Sequence, residues 1–470
     1  MNKGKMKRLM PMLAMALLSL LPAKAGAAEE LPRGAVVGKV VCAADATQSY
    51  ALYLPSFYSR DKRWPIIYCF DPGAQGKVPV NLFKAAAEKY GYILAGSNNS
   101  QNGPWEPINA AIRAVWTDTQ TRFAIDNSRV YSTGHSGGAQ VALTFGLFLG
   151  KPWAGAISIC GSMPDLPKPD ALPKDLAVFI ATGISDFNYW PSHKIGSILD
   201  GLNRTNRLET FIGGHAWPPG DTILDALSWI ELQTMKKGLH QRDEGWINAQ
   251  FAERLERARA IELKGNGPEA YEAFLAVADD FRGLCPTTQA EAAAARLDRP
   301  EEIEKYRKEL KAAEKRELER FAQTNAALQG YLNTPDFRER RQWLDKLEVP
   351  RLLRESEKAG EAAAGQGARR LLGYLLAWAV PSATQAYQRG DMTTAADFYE
   401  LVVLIRPESG LIWYNLACVR SRLGEKKAAL AALEKAVENG VRDRATIEND
   451  PDLEGLRSEP AYMRLLEKIK

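Results

Sequence analysis

A serine hydroxyl attacks an acyl carbon only when a base removes its proton and donors receive the oxyanion. The serine with the right surroundings is Ser136, in Gly134-His135-Ser136-Gly137-Gly138, which fits G-x-S-x-G. Glycines two before and two after it let backbone pass close on both sides of an exposed turn. The chain holds four histidines. His135 lies inside the turn and points away from its neighbour's hydroxyl, while His193 and His240 fall in helical or linker context. His215, in Gly213-Gly214-His215-Ala216-Trp217-Pro218, sits in a glycine-rich loop past a final strand, where an imidazole can shuttle the Ser136 proton. A carboxylate must fix that imidazole's tautomer. Asp186 ends the run Leu176 to Thr182 followed by Gly183-Ile184-Ser185, between nucleophile and base in chain order. Asp165 is its competitor, and topology favours Asp186: Ser, then Asp, then His is the α/β-hydrolase order.

Two backbone donors should hold the oxyanion. One is the Gly137 amide. The other belongs to the loop Asp71-Pro72-Gly73-Ala74-Gln75-Gly76, where Gly73, Ala74 and Gln75 are all candidates. Trp217, Trp190 and Trp105, with Tyr189, flank these motifs and suit either a substrate pocket or ordinary packing.

The elements that must carry these residues are legible as alternating runs. Ala35 to Cys42 and Ser49 to Pro55 read as an opening hairpin. Pro65 to Phe70 is a continuous apolar run, as expected of a strand covered on both faces. Helix Val80 to Tyr90, strand Gly91 to Ala95 and helix Ile108 to Phe123 follow, with the polar loop Ser97 to Trp105 at a strand end, where open parallel sheets place ligands. Strand Val130 to Thr133 then enters the Ser136 turn and helix Ala139 to Leu149 leaves it. Strands Gly155 to Cys160, Leu176 to Thr182 and Arg207 to Ile212, with helices His193 to Leu202 and Asp221 to Met235, complete a doubly wound α/β domain.

The chain of 470 residues is too long for one ordinary core. Lys3, Lys5, Lys7 and Arg8, the apolar run Leu9 to Leu21 and Ala23-Lys24-Ala25 have the form of a cleaved signal peptide over 1–25. The run is shorter than the ~20 residues of a membrane span. Its removal leaves 56 basic against 57 acidic residues, so charge points to neither nucleic acid nor an anionic membrane surface as partner. The five cysteines are scattered without C-x-x-C. Buried free thiols are expected of a domain this size, with Cys42 to Cys69 a weaker pairing.

The hydrolase domain is expected over 26–240. From about Glu244 the composition turns Ala, Glu, Lys, Arg and Leu-rich and helical throughout. We read 241–375 as helical linker or degenerate repeats and take the charge run Arg299 to Arg320 as a solvated helix face. Over 376–470 a period of 34 residues relates Gly390 to Gly424, Asp391 to Glu425, Ala395 to Ala429 and Val403 to Val437. This resembles tetratricopeptide (TPR) repeats, with Trp413, Leu416 and Ala417 in the first-helix signature. Ile261 to Phe281 looks like a further degenerate pair, and 449–469 like a capping segment. Such arrays bind protein partners in a concave groove.

Ile125-Asp126-Asn127-Ser128-Arg129-Val130-Tyr131 running into Thr133 to Gly138, with Gly213 to Pro218 downstream, resembles the secreted esterases grouped with polyhydroxybutyrate depolymerases, feruloyl esterases and acetylxylan esterases. The resemblance covers roughly the first half of the mature chain. It departs at Asp71-Pro72-Gly73, where that group has His-Gly, and at His135 and Gly137, where Ser or Leu and Ala are usual. It implies an exported serine esterase with Ser136, Asp186 and His215 as triad and no metal or organic cofactor. A serine peptidase of the same fold and a non-catalytic envelope scaffold are the alternatives.

Overall fold

The computed structural model describes residues 31–151, 153–166, 168–358 and 363–469, so the expected signal peptide lies outside the described residues. The chain opens with the antiparallel pair β1 (Val36–Cys42) and β2 (Asp45–Tyr53), then β3 (Trp64–Phe70), α1 (Lys77–Tyr90), β4 (Ile93–Ser97), α2 (Trp105–Arg122) and β5 (Ile125–His135). After it come α3 (Gly137–Leu149), β6 (Gly155–Ile159), β7 (Ala177–Gly183), α4 (Tyr189–Gly201), β8 (Asn206–Phe211) and α5 (Gly220–Lys236). The strands form one sheet in the order β1-β2-β4-β3-β5-β6-β7-β8, parallel from β4 onward. Every residue of β3, β4, β6 and β7 is buried, which is why these strands are mostly apolar along their length rather than alternating.

Helices cover both faces. Ile108, Ile112, Val141, Phe145, Ile195 and Leu199 of α2, α3 and α4 pack on one side, and Val80, Phe83, Ile223, Leu227 and Trp229 of α1 and α5 on the other. This is the doubly wound, α/β-hydrolase-type architecture expected. The pairings Phe70↔Gly134, His135↔Ile159, Ile159↔Ala181 and Gly183↔Phe211 align the strands' carboxyl ends. The loops after β3, β5, β7 and β8 therefore share one rim, where such sheets bind ligands.

The rest is helical: α6 (Glu244–Leu263), α7 (Gly267–Phe281), α8 (Thr288–Leu297), α9 (Pro300–Asn333), α10 (Phe337–Asp345), α11 (Val349–Lys358), α12 (Ala363–Gln388), α13 (Met392–Ile405), α14 (Gly410–Arg422), α15 (Lys426–Glu438), α16 (Arg444–Asn449) and α17 (Pro460–Lys468). Side chains of Asp243, Asn266 and Asp391 accept from backbone N–H groups at the starts of α6, α7 and α13, satisfying donors the helix leaves unpaired. The turn near 240 ends the sheet domain in sequence but not in packing, because Leu232 and Met235 of α5 share a core with α6 to α8. The limit drawn between 375 and 376 falls inside α12, which continues through Pro381. Gly390 and Gly424 occupy the turns before α13 and α15, both with positive φ. Cys42, Cys69, Cys160, Cys285 and Cys418 are all free thiols. Among the described residues no helix is long and apolar enough to cross a membrane.

Candidate active site

Strand β5 delivers Ser136 at φ 57°, ψ −122°, a left-handed conformation that side-chain-bearing residues rarely hold. What holds it is close packing. A Cβ on Gly134 would sit 2.0 Å from the Gly138 carbonyl oxygen, and one on Gly138 2.1 Å from the Phe70 carbonyl oxygen. The Ser136 N–H is tied to the Ile159 carbonyl at 2.9 Å. Helix α3 begins at the next residue, so the Gly137 N–H has no acceptor within the helix and faces outward with the positive end of the dipole.

The three residues picked out by order along the chain meet here. His215 Nε2 lies 2.9 Å from Ser136 Oγ, and Nδ1 lies 2.8 Å from Asp186 Oδ1. With Nδ1 donating to the carboxylate, Nε2 is left to accept the serine proton. Asp186 is fully buried and accepts the Asn188 N–H at 2.9 Å, while the His215 side chain keeps 19% of its surface. Asp165 is exposed. The Phe187 ring lies on the His215 ring with centroids 4.0 Å apart. This contact left no signal in the sequence.

His135 packs on the other side of His215, centroids 4.7 Å apart, and against Trp217 at 5.4 Å. Burial, and then the neighbouring His215, push His135 down to about 4, so it is neutral at pH 7. Its Nε2 is buried without a partner. His135, Cys160 and His215 offer ligand atoms within 4.8 Å of one another, but both His215 nitrogens already serve Asp186 and Ser136. Burial holds the Cys160 thiol well above its ordinary range. A second grouping, Cys418 with Asp450 and Asp452, has its carboxylates taken by Tyr414 and Tyr387.

The loop expected to supply an oxyanion donor is built differently. The Gly73 N–H donates to Asp71 Oδ1 at 2.9 Å and the Ala74 N–H to the Asp71 carbonyl at 3.0 Å. Both are spent within a turn that Asp71 organises, so neither is free for an oxyanion. The Gln75 N–H is only loosely held, 3.4 Å from Asp71 Oδ1. The side chain of Asn102, in the polar loop after β4, packs against Gly137: its Oδ1 is 2.0 Å from where a Gly137 Cβ would be.

The three tryptophans do not form one pocket. Trp217 donates to Asp71 Oδ2 at 3.1 Å and packs edge-on to Phe83, which locks two rim loops together. Trp105, at the head of α2, lies on Phe148, 4.9 Å between centroids. Trp190 is 9% exposed, because Arg370 of α12 covers the turn it belongs to. That cover comes from a half of the chain in which sequence reasoning placed no site residue.

An apolar groove of about 1070 Å³ opens elsewhere, lined by Leu344, Val349, Leu404, Trp413 and Leu416 with Arg341, Glu400 and Arg420 among its polar residues.

No protein-family model matches the chain. Over 88 residues it is 36% identical to a chloroplastic protein of Arabidopsis thaliana, a stretch that is 18% of this chain. The chain spans about a quarter (26%) of that protein's length. Among solved structures it is similar to S-formylglutathione hydrolase (FrmB) from Staphylococcus aureus, at 17% identity over 39% of this chain and 90% of that one, with a TM-score of 0.33. It is also similar to a truncated carbohydrate esterase from gut microbiota, at 17% identity over 43% and 96%, TM-score 0.35. Esterase B from Lactobacillus rhamnosis gives 15% identity over 43% and 88%, TM-score 0.35.

Proposed function

We propose that the chain is an exported serine esterase. The observation that carries this is a single imidazole bridging a buried carboxylate at 2.8 Å and a serine hydroxyl at 2.9 Å, with that serine held at positive φ. Ser136 Oγ attacks the ester carbonyl while its proton passes to His215 Nε2. The imidazolium is stabilised by Asp186 and gives the proton to the leaving alcohol, which leaves an acyl-serine that water hydrolyses by the same steps reversed. The Gly137 N–H receives the oxyanion. The N-terminal basic, apolar and Ala-x-Ala pattern supports export to the periplasm or the extracellular space.

The test is turnover of p-nitrophenyl acetate, butyrate and octanoate and of methyl ferulate by wild type and Ser136→Ala. A fall of about 10⁴-fold or more is expected in the variant. Equal rates would overturn the reading, and peptide anilides cleaved as fast as aryl esters would shift it to a peptidase.

The groove around Trp413 supports a protein-facing role for the repeat-like helices. A partner captured by the full chain and retained by Trp413→Asp would remove that role.

A further inference from the structure

The turn that carries the catalytic carboxylate, residues 184–190, is held from two sides. From the sheet side, the Ile184 N–H reaches the Phe211 carbonyl and the Ser185 N–H the Gly213 carbonyl, both at 2.9 Å. The opposite side belongs to the helical half. Arg370 Nε donates to the Ile184 carbonyl at 2.8 Å, and its guanidinium lies 3.6 Å from the Tyr189 ring centroid. Ser185 Oγ donates to Gln366 Oε1 at 2.6 Å. Tyr374 meets Phe187 edge-on at 6.0 Å. Gln366, Arg370 and Tyr374 are spaced by four, which puts them on one face of α12. That face grips the residues immediately before and after Asp186, including the phenyl ring that lies on His215.

Arg370 is itself braced. Its Nη1 pairs with Glu317 Oε2 of α9 at 2.9 Å, and both side chains are less than 10% exposed. Glu317 belongs to the charge run expected to be solvated, and its other oxygen is buried without a partner. A buried pair of this kind is a poor source of net stability, since desolvation offsets most of the attraction. What it does supply is a fixed guanidinium, whose planar fork can hold one carbonyl and one ring in register.

We infer that the helical half completes the catalytic turn, with Arg370 as a positioning residue that holds Asp186 and Phe187 against His215. This rests on the serine-esterase reading. The catalytic geometry is then a property of the whole chain rather than of the sheet domain, because the outer side of the turn is braced by α12.

The experiment uses the full chain as wild type, Ser136→Ala, Arg370→Met, Arg370→Met with Glu317→Gln, and Gln366→Leu, each assayed for kcat and KM on p-nitrophenyl acetate and for Tm. Removing Arg370 alone strands the Glu317 carboxylate in the interior, so Tm falls; adding Glu317→Gln removes that charge and recovers most of it. Positioning predicts that kcat stays down by about tenfold or more in both variants, with KM within about twofold, because only the alignment of the triad has changed. Gln366→Leu, which leaves the ion pair intact, should lower kcat about threefold at unchanged Tm. Recovery of kcat together with Tm in the double variant, or a wild-type kcat in Arg370→Met, overturns the inference while leaving the esterase reading intact. Wild-type turnover no faster than that of Ser136→Ala removes both.

Discussion

The glycines around Ser136 and those in the turns before α13 and α15 are there for different physical reasons. Around Ser136 the glycines are required by space, since backbone from a neighbouring element occupies the volume a side chain would need at Gly134 and Gly138. In the helical half Gly390 and Gly424 have nothing within 4 Å of a would-be Cβ and are required by φ, at +81° and +77°. Close approach builds one site at one place. A left-handed residue merely ends a helix, and a repeat can use it many times.

Gly138→Ala tests the first half of that contrast and should have the largest effect. The new methyl would collide with the Phe70 carbonyl, so β3 and α3 must separate and the Ser136 turn must open. We expect a loss of stability above about 3 kcal/mol in urea unfolding and a fall in ester turnover of about 100-fold or more. A variant with near-native stability and rate would show that the elbow tolerates repacking and that crowding there is incidental.

A second difference between the halves is in titration. All four histidines precede residue 241, so the helical half has none. His135 is held down from its ordinary 6.5 to about 4, first by burial and then by His215, with Asp186 and Asp71 acting weakly the other way. Between these two values the unfolded chain binds a proton that the folded chain refuses. Stability is therefore complete above about pH 6.5 and falls as the pH drops toward 4, by up to about 3 kcal/mol from this residue. His193, also pushed down by burial, adds in the same direction. His135→Phe removes the first contribution and leaves no stranded nitrogen. Urea unfolding at pH 7 and pH 4.5 should show the wild type losing about 2.5 kcal/mol more than the variant over that interval. Parallel losses would mean that His135 is not the sensitive group.

The same division governs what could be read from the sequence. The sheet was legible because a strand buried on both faces is mostly apolar along its length, and β3, β6 and β7 are, with only Ser158 and Thr182 interrupting them. The candidate site was legible where a residue's place is fixed by its position at a strand end, and the hydroxyl of Ser136, the carboxylate of Asp186 and the imidazole of His215 lie within hydrogen-bonding distance of their partners. The state of the loop expected to hold an oxyanion was not, because Asp71 spends the Gly73 and Ala74 amides through hydrogen bonds that depend on the loop's fold and not on its composition. Glu317 is the clearest miss. In a run of interleaved charges it has no local feature separating it from its solvated neighbours, and only the approach of α12 buries it. Arg370 carried a faint signal, the second of two adjacent arginines directly before the mainly apolar stretch from Leu371 to Leu376. A charge on an apolar helix face needs a partner, and here the partners are a carboxylate 53 residues earlier and a carbonyl 186 residues earlier.

The smallest effect belongs to the repeat turns. In Gly424→Ala the added methyl meets no atom, so the penalty is the intrinsic strain of a left-handed alanine, about 1 kcal/mol. Part of it is offset by the reduced freedom of the unfolded chain. The turn joins α14 to α15, and neither helix contributes Gln366, Arg370 or Tyr374, so ester turnover should match wild type while Tm falls by a few degrees. Set beside Gly138→Ala, this separates a glycine that fills a vacancy in conformational space from one that yields space to its neighbours. If Gly424→Ala lowers turnover as well as Tm, strain in the repeats is transmitted along the helical stack to α12, and the two halves are mechanically one.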